Sequence, residues 1–511
     1  MSTVVYNGLG EPLLYVPDYF KGRATQLLQY VNAATTTDQA TRIKICRREP
    51  MIFALVYLRH HMSSEETGNR RSINPLHIYL AEHAATYWPF PLKPKECRVC
   101  VVAPRDSGKT TWNYLILPLW GGAYRWRVFQ LFLSSSGATA EEHLAALKDE
   151  LRNNERLRAD FPELCAPELH KGRPTGDTKE VFRSASGVTF MAKGIDAKNL
   201  GRKEKRVRPD LVVIDDIEPI GKYSNEARTE RLNLITRAIL PMNLNAAVYI
   251  VGTVVRYGSI MHDVVKAATG GGVADWIRDE NFQTKYWPVY GINSQTRTEE
   301  SFWPERYSLA WIKSQIHIDS FQLSHMNQPV TGGDGLFSKR DLHYGAPFKP
   351  YSHVMAIDPA VTVGEKSDFT GIAIVSFDGA DMNAFIEYAK GVKLGPEKMR
   401  ELVRLLLEHY PQIDTVLIET INGGLYVVDA IKPVIPSHVQ LVVRNEYAPK
   451  ASRIRQLHDY CQRKWVFWNT GLNEAVDQAL SYPVVEHDDV IDAIAKATHY
   501  KLEKRHIPLA G

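Results

Sequence analysis

Four short apolar runs, separated by longer polar stretches, constrain the fold of this chain most strongly. The runs are Arg98–Ala103, Phe129–Leu133, Leu211–Ile214 and Ala247–Val251. Near-continuous apolar runs of this length are typical of strands buried on both faces, and the stretch Thr139–Asn153 between two of them has a helical pattern. Strands that alternate with helices predict an α/β unit with a buried parallel sheet.

A second α/β pattern follows a Gly-rich stretch near residues 330–350. Its predicted strands are Val354–Ile357, Gly371–Val375, Ala384–Tyr388 and Thr415–Ile418, and its predicted last helix is Asp489–Leu502. The pattern before the first strand indicates helices. We therefore expect a helical region over 1–95, a first α/β unit over 96–335, a linker over 336–350 and a second α/β unit over 351–505.

Composition excludes several classes of protein. The 511 residues are 44% hydrophobic and carry 62 Lys and Arg against 58 Asp and Glu, a net charge of +4 that excludes a histone-like polycation. Five cysteines are too few for a disulfide scaffold. We expect Cys97 and Cys100 to be thiols on a strand that enters the core, in a reducing compartment. We expect neither a signal peptide nor a membrane helix, because no apolar run approaches about 18 residues.

The segment after the first apolar run has the end of a phosphate-binding loop. Gly108, Lys109 and Thr110 stand where such a loop needs a turn that exposes N–H groups, a lysine for the β- and γ-phosphates and a hydroxyl for magnesium. Ala103 takes the place of the first glycine of the standard motif. The residues predicted to bind nucleotide are Ser107, Gly108, Lys109, Thr110 and Thr111.

Carboxylates end the strand predicted at Leu211–Ile214. Asp215 and Asp216 follow it directly, and Glu218 comes shortly after. P-loop enzymes use an acid at such a strand end to hold the magnesium shell and a second acid to polarise the attacking water. We predict Asp215 as the magnesium partner and either Asp216 or Glu218 as the hydrolytic acid.

Two further residues fit a nucleotide site. Arg105 lies inside the phosphate loop, where it is placed to approach the γ-phosphate of its own subunit. Thr253 ends the strand Ala247–Val251, where a small polar residue senses the γ-phosphate.

Acids follow two predicted strands of the second unit and open its last helix. They are Asp358, Glu419, Asp488, Asp489 and Asp492. Carboxylates that converge from strand ends and a helix N-terminus are what two magnesium ions need to clamp the oxygens of a phosphodiester. We predict a metal site built from these acids, with Asp358, Glu419 and one acid of the helix as its centre. Their order resembles that of the RNase H fold.

An ATPase with this loop, a linker and an RNase H-like nuclease together resemble the large terminase subunit of tailed bacteriophages, the motor that packages DNA into a procapsid. The resemblance covers residues 50–505. Further segments that carry it are Leu131–Ser136, Gly201–Glu218, Phe302–Tyr307 and Phe321–Pro329. In that family the loop often lacks its first glycine and carries an arginine, as Arg105 does here.

The resemblance implies an ASCE-type P-loop ATPase over 96–335, with the helical region as its N-terminal subdomain or lid, and an RNase H-like nuclease over 351–505. It implies ATP and Mg²⁺ as cofactors, with Mn²⁺ as a substitute in the nuclease. The family's hydrolytic acid usually follows the metal-binding Asp at once as Glu, so Asp216 and Glu218 both stay open. Thr253 matches the coupling motif. Among the helix acids the resemblance favours Asp489, because it begins the helix at the same point as the central Asp of the family's nuclease motif.

The resemblance also implies partners and a location. These are double-stranded DNA held by its phosphates without sequence specificity, a small terminase subunit, the portal protein, and further copies of the chain in a ring. The protein is then expected in the host bacterial cytoplasm and transiently at the portal vertex, without a membrane partner. It would drive DNA packaging and cut the concatemer.

The main competing interpretation is a helicase or DNA-remodelling ATPase with an inactive RNase H-like domain. The intact acids argue against it. Candidate arginines for action on a neighbouring subunit are Arg228, Arg231 and Arg237. Two groups of basic residues are candidates for DNA contacts: Lys198, Arg202, Lys203, Lys205, Arg206 and Arg208 before the Asp215 strand, and Lys390, Lys393 and Lys398 in the second unit.

Overall fold

A computed structural model describes most of the chain. The described residues are 2–6, 12–63, 71–89, 97–197, 207–218, 225–292, 297–328, 336–359, 369–380, 383–419, 425–444, 449–483 and 488–503. The chain forms two compact units, Met1–Val330 and Thr331–Gly511. No helix among these residues is long and apolar enough to cross a membrane.

The first unit combines helices with short strands. Its strands are β1 (Ser2–Tyr6), β2 (Pro12–Pro17), β3 (Arg98–Val102), β4 (Phe129–Ser134), β5 (Leu169–His170), β6 (Arg173–Pro174), β7 (Val181–Arg183), β8 (Thr189–Gly194), β9 (Leu211–Asp215), β10 (Ala247–Gly252), β11 (Gln283–Tyr286), β12 (Tyr290–Ile292) and β13 (Glu299–Ser301). Its helices are α1 (Lys21–Thr36), α2 (Gln39–Cys46), α3 (Pro50–Tyr57), α4 (Pro75–Tyr87), α5 (Leu117–Ala123), α6 (Gly137–Asn153), α7 (Glu155–Asp160), α8 (Pro162–Cys165), α9 (Asn225–Asn233), α10 (Ile260–Thr269), α11 (Asp275–Asp279), α12 (Leu309–Gln315) and α13 (Asp319–Ser324). A π-helical turn, Thr111–Ile116, leads into α5, and a short 3-10 turn, Arg59–Met62, follows α3.

Seven strands of this unit form one sheet in the order β11-β3-β10-β9-β4-β8-β7. All of its neighbours pair in parallel except β7 with β8. The phosphate-loop strand β3 and the acid-bearing strand β9 are separated by β10, the additional strand that gives ASCE-type P-loop ATPases part of their name. The predicted buried parallel sheet is confirmed.

Successive residues of β3 enter different apolar clusters because side chains alternate across a strand. Val99 and Val101 join the cluster that includes the N-terminal helices, whereas Cys100 and Val102 join the cluster beneath α10. Cys97 and Cys100 are both buried free thiols, as predicted. The sheet is therefore covered on both faces, as its apolar strands require.

The N-terminal region differs in one respect from the helical region expected over 1–95. It begins with an antiparallel pair, β1 with β2, before its four helices. The buried residues Val5, Leu14 and Val16 of this pair belong to the same apolar cluster as the sheet. The N-terminal region thus shares the core of the first unit.

The second unit contains a mixed sheet with helices against it. Its strands are β14 (His343–Tyr344), β15 (Ser352–Asp358), β16 (Thr370–Phe377), β17 (Ala384–Val392), β18 (Thr415–Glu419), β19 (Gln440–Arg444) and β20 (Val466–Trp468). Its helices are α14 (Pro396–His409), α15 (Leu425–Ile431), α16 (Lys450–Gln462), α17 (Asn473–Ser481) and α18 (Asp489–Leu502).

The sheet order in this unit is β14-β20-β17-β16-β15-β18-β19. Strand β16 pairs antiparallel with both β15 and β17. On the other side of β15, β18 pairs with it in parallel, and β19 pairs in parallel with β18. In order of appearance from β15, the five strands lie as 3-2-1-4-5, the arrangement of the RNase H fold. The predicted fold class is confirmed in this unit too.

Residues 336–350, expected as a linker, contribute to the second unit. The strand β14 pairs with β20, and Phe337 is fully buried with its ring against His458. Ser338 and Asp341 form a capping box around a short helical turn. Gly332, Gly333 and Gly335, which suggested the linker, lie outside the described residues.

Helix α18 lies close against the middle of the sheet because β16 carries a glycine beneath it. A Cβ built on Gly371 would meet the carbonyl oxygen of Asp489 at 2.1 Å. The first turn of α18 is also held by Gln478, whose Oε1 accepts from the N–H groups of Val490 and Ile491 at 3.0 and 3.1 Å. These contacts fix the height of the acidic helix start above the sheet.

We expect Gly371→Ala to destabilise the second unit by about 1–3 kcal/mol, because the methyl group would overlap backbone that has nowhere to move. Hydrogen exchange followed by mass spectrometry should show faster exchange in α18 and β16 peptides. Gly379→Ala is the matched control, since its Cβ would meet only a Tyr351 ring carbon at 3.9 Å. Equal exchange in the two variants would contradict the close approach.

Candidate functional site

The first site forms where three parallel strands, β3, β9 and β10, end at one edge of the sheet. The loop after β3 turns through two left-handed residues, Asp106 with φ 58° and Gly108 with φ 82°. Alternation of left-handed and right-handed residues directs successive backbone N–H groups into a common concavity that binds anions. The loop therefore has the backbone shape that a phosphate-binding loop needs.

Lys109 is buried at the base of this loop. Its ammonium donates to the carbonyl oxygen of Pro104 at 3.2 Å. Burial lowers its pKa, and the nearby carboxylates Asp215 and Asp216 oppose that shift. The loop itself therefore holds the positively charged ammonium that a β- or γ-phosphate would contact.

Thr110 and Asp215 join the loop to β9. The Thr110 hydroxyl donates to Asp215 Oδ2 at 2.6 Å, and the Asp215 N–H donates to the Tyr114 hydroxyl at 3.0 Å. Burial and the charge of Asp216 raise the pKa of Asp215 to about 6. Its Oδ1 is buried and has no hydrogen-bond partner among the described residues, and neither does the buried Oγ of Ser107. These orphaned oxygens fit a site for Mg²⁺ and a nucleotide phosphate.

Asp216 and Glu218 lie in different surroundings. Asp216 is exposed and left-handed, with φ 45°, and its N–H donates to Val251 at 3.2 Å. A Cβ on Gly252, at the end of β10, would lie 3.7 Å from Asp216 Oδ1. A non-glycine residue held in this conformation is characteristic of functional sites. The Asp216 carboxylate therefore faces the strand end beside the phosphate loop.

Glu218 is buried against the first turn of α10. Its Oε2 accepts from the Met261 N–H at 3.4 Å. Burial raises its pKa to about 7, although the Arg256 charge opposes the shift. One oxygen of Glu218 thus braces the helix N-terminus, and the other, Oε1, is buried without a hydrogen-bond partner among the described residues.

The remaining predicted nucleotide-site residues also lie along this edge. Thr253 is buried directly after β10, and the next N–H, that of Val254, donates to Asn327 Oδ1 at 2.9 Å. The side chain of Arg105 is exposed, while its backbone is fixed: its N–H donates to Ser324 and its carbonyl accepts from the Tyr307 hydroxyl. Thr111 begins the π-helical turn that follows the loop.

Two residues of this site were missed from the sequence. The Ser107 carbonyl accepts from the Asn74 side-chain amide at 3.0 Å and lies 2.9 Å from His77 Nε2. The His77 ring stacks on Trp112 with centroids 5.3 Å apart, and burial lowers its pKa to about 3, so it is neutral. Asn74 followed by a proline is a helix-start signal, but nothing local shows that this helix start braces the loop.

The three candidate arginines for action on a neighbouring subunit differ in exposure. Arg228 is buried and paired with Asp263 at 2.5 Å, and Arg231 is buried and paired with Asp196 at 2.7 Å. Arg237 is exposed. The first two are therefore committed to contacts inside the unit.

The second site forms at the end of β15 in the other unit. Because Ile357 pairs with Ile418 in parallel, Asp358 and Glu419 occupy the next positions on adjacent strands. The Glu419 side chain lies outside the described part of the structure. Backbone register thus brings the two strand-end acids to one edge.

Lys496 of α18 is paired with the first of these acids. Its ammonium lies 2.6 Å from Asp358 Oδ1 and 3.3 Å from Asp492 Oδ2. Burial raises the pKa of Asp358 to about 7, and Lys496 opposes that shift. Asp492 also accepts from Arg453 Nε at 3.1 Å and Nη2 at 2.7 Å. Although burial opposes it, these two cations hold the pKa of Asp492 below its ordinary value.

The other two helix acids lie around a different cation. Lys450 Nζ is 2.5 Å from Asp488 Oδ1 and 3.3 Å from Asp489 Oδ1. Despite burial, these acids raise the pKa of Lys450. The donor set Asp358, Glu419 and Asp489 supplies only oxygen, the ligand type that Mg²⁺ and Mn²⁺ prefer, so its chemistry fits the predicted metal site.

Comparison with solved structures adds three similarities. The large terminase of bacteriophage HK97 matches over 88% of this chain and 99% of its own, with TM-score 0.41 and 9% identity. The large terminase of a thermophilic bacteriophage matches over 84% and 99%, with TM-score 0.30 and 11% identity. The terminase nuclease domain of human cytomegalovirus, in a Mn-soaked and inhibitor-bound crystal, matches over 32% and 94%, with TM-score 0.26 and 16% identity.

The chain is similar to large terminases. This agrees with the family resemblance identified from the sequence. No protein-family model and no curated protein matches the chain.

The candidate DNA-contacting residues are only partly described. Lys198, Arg202, Lys203, Lys205 and Arg206 lie outside the described residues. Arg208 donates to the Met242 carbonyl at 2.7 Å. In the second unit, Lys390 and Lys398 are exposed, and the Lys393 ammonium lies 4.5 Å from the centroid of the Phe369 ring.

We expect Glu218→Gln to gain stability relative to the wild type as pH rises. Glu218 has its pKa raised from 4.5 to about 7 on folding, so its ionisation costs stability progressively through that interval. The glutamine carries no such proton, and the difference in unfolding free energy should reach at most about 3 kcal/mol. Thermal unfolding between about pH 5 and pH 8 measures it. The exposed Glu155→Gln is the control, and a parallel pH dependence in both variants would contradict the burial of Glu218.

Proposed function

We propose that this chain is an ATP-driven motor that packages viral double-stranded DNA and carries a metal-dependent nuclease to cut the concatemer. The observation that carries the proposal is the presence of both devices in one chain. A phosphate loop faces paired acids at one sheet edge, and an RNase H-ordered sheet brings strand-end acids beneath an acidic helix.

In the motor, the described residues divide the work of hydrolysis. Lys109 and the loop N–H groups hold the phosphates, while Thr110 and Asp215 would hold Mg²⁺, which neutralises phosphate charge when bound. Asp216 orients and polarises the attacking water, because its carboxylate is exposed beside the loop. Thr253 follows β10, which lies between the strand of the loop and the strand of the acids. It would sense the loss of the γ-phosphate and pass that change on to the rest of the unit.

In the nuclease, Asp358, Glu419 and Asp489 would hold divalent metal, Mg²⁺ or Mn²⁺, which activates the nucleophile and stabilises the leaving oxygen when bound. Asp492 serves a different purpose, because its carboxylate is buried in contacts with Arg453 and Lys496. It positions the Lys496 ammonium at Asp358. Asp488 shares Lys450 with Asp489.

The partners follow from the proposed task. A motor that moves any sequence should contact DNA phosphates, so its binding should weaken steeply with salt. A small terminase subunit would present the DNA, and a ring of this chain would dock on the portal of the procapsid in the host bacterial cytoplasm. An arginine from a neighbouring subunit would complete each ATP site, and the exposed Arg237 is a better candidate than the buried Arg228 or Arg231.

A second function is favoured by one observation. Lys496 lies on Asp358, and Arg453 on Asp492, so cations already compensate two acids of the nuclease unit. A helicase or DNA-remodelling ATPase with an inactive RNase H-like domain would be built in this way. It differs from the packaging nuclease in predicting no cleavage with any divalent metal.

Steady-state kinetics of ATP hydrolysis can distinguish the roles of Asp216 and Glu218. We expect Asp216→Asn to lower ATP turnover by about 10²- to 10⁴-fold while ATP still binds, because the variant loses only the group that polarises water. Glu218→Gln should keep turnover within a few-fold of the wild type at neutral pH. The opposite pattern would assign hydrolysis to Glu218, and loss of nucleotide binding in Asp216→Asn would show a structural defect.

Measurements of activity and of stability on the full-length protein distinguish the roles of the nuclease acids. We expect Asp358→Asn and Asp489→Asn to abolish plasmid cleavage in Mn²⁺ while ATP turnover persists. Asp492→Asn should instead lower the stability of the second unit by about 3–5 kcal/mol, because it removes the buried carboxylate that accepts two hydrogen bonds from Arg453. Hydrogen exchange in α18 measures that loss. A wild-type protein that hydrolyses ATP but never cleaves DNA would support the remodelling ATPase.

A further inference from the structure

A cluster of two histidines and one glutamate lies in the first unit, away from the residues assigned to ATP. His60 and His61 are in the short turn Arg59–Met62 that follows α3. Glu150 lies in the last turns of α6. The cluster thus joins the N-terminal helices to the helix that follows β4, across a separation of about ninety residues.

The three side chains converge on one carboxylate oxygen. His60 Nε2 lies 2.8 Å and His61 Nε2 lies 3.0 Å from Glu150 Oε1. The two imidazole rings are adjacent, with centroids 4.2 Å apart. One donor atom from each residue lies within 4.8 Å of the others.

This donor set has the chemistry of a zinc site. Imidazole nitrogen and carboxylate oxygen are both zinc ligands, with bonds of about 2.0–2.2 Å that place neighbouring donors about 3.3 Å apart. The observed nitrogen–oxygen distances need to grow by only a few tenths of an ångström to reach that spacing. Two histidines with one glutamate also match a known three-ligand set for zinc, which leaves a fourth position for water.

The glutamate is already oriented for this role. Asn154 donates its amide to Glu150 Oε2 at 2.7 Å and to the Tyr57 carbonyl at 2.8 Å. A hydrogen-bonded partner that fixes a ligating carboxylate is a regular part of built metal sites.

The open side of the cluster faces a surface cleft. The cleft has a volume of about 450 Å³ and is lined by residues that include His60, Glu150 and Glu155. The His60 side chain is 55% exposed and that of His61 is 30% exposed, so an ion can reach both from solvent. The fourth position is therefore accessible to water.

We propose that His60, His61 and Glu150 bind one Zn²⁺ ion, which clips the N-terminal helices to α6. A clip that closes a long loop restricts the unfolded chain and so stabilises the folded one. The site is independent of the oxygen-only acids of the second unit and of the phosphate loop. Its imidazoles select a borderline metal over Mg²⁺.

Zinc titration of the untagged, full-length protein tests the proposal. Millimolar Mg²⁺ is kept in the buffer to occupy the carboxylate sites without competing for imidazole. We expect one zinc ion to bind with micromolar or tighter affinity in calorimetry. The double variant His60→Ala/His61→Ala and the near-isosteric Glu150→Gln should each weaken that binding at least about 10-fold.

A matched variant controls for loss of imidazoles in general. His170 and His317 are exposed histidines of the same unit, and His170→Ala/His317→Ala should bind zinc as the wild type does. Zinc should also raise the thermal unfolding temperature of the wild type and of this control, but not that of His60→Ala/His61→Ala. Circular dichroism without metal shows whether each variant is folded.

Two outcomes would overturn the proposal. One is the absence of zinc binding by the folded wild type under these conditions. The other is equal zinc affinity in the wild type and in a folded His60→Ala/His61→Ala variant. In either case the cluster would be a set of hydrogen bonds between the two histidines and Glu150.

Discussion

Parallel pairing is the constraint on which the first unit depends. Strands β3, β10 and β9 run in the same direction, so their last residues meet at one edge. That edge holds the loop with Lys109, the acids Asp215 and Asp216, and Thr253, although these residues are far apart in sequence. A parallel sheet must also be covered on both faces. The N-terminal helices and α10 supply that cover, and α4 braces the loop through Asn74 and His77.

Parallel pairing also brings the acids of the second unit together, but there nearby cations compensate them. Parallel register between β15 and β18 sets Asp358 beside Glu419, and Gly371 lets α18 approach closely enough to add its acids. Several carboxylates in so small a space repel one another. Lys450, Arg453 and Lys496 offset that repulsion, which is why the pKa of Asp492 lies below its ordinary value while the more weakly compensated Asp358 has a raised pKa.

Much of this could be predicted from the sequence, because apolar runs and strand-end acids are local signals. Every predicted strand of the two sheets is present with ends shifted by zero to four residues, and α18 has the predicted bounds. Short strands such as β20 were missed, since a run of three residues resembles a loop. The roles of His77 and Asp492 were beyond reach for another reason. Both depend on partners, Ser107 and Arg453, that only the tertiary fold brings near.

The neutral ring of His77 has a mechanical consequence. It is stacked on Trp112 at its face, meets Trp303 edge-on at 5.2 Å, and lies 2.9 Å from the Ser107 carbonyl. It cannot swing aside without opening a gap between the two indoles. Any rearrangement of the loop on gaining or losing a phosphate must therefore either break that hydrogen bond or drag α4 with it. In the proposed motor, the position of α4 would therefore depend on whether the loop holds a phosphate, and nucleotide occupancy would reach helices that take no part in hydrolysis.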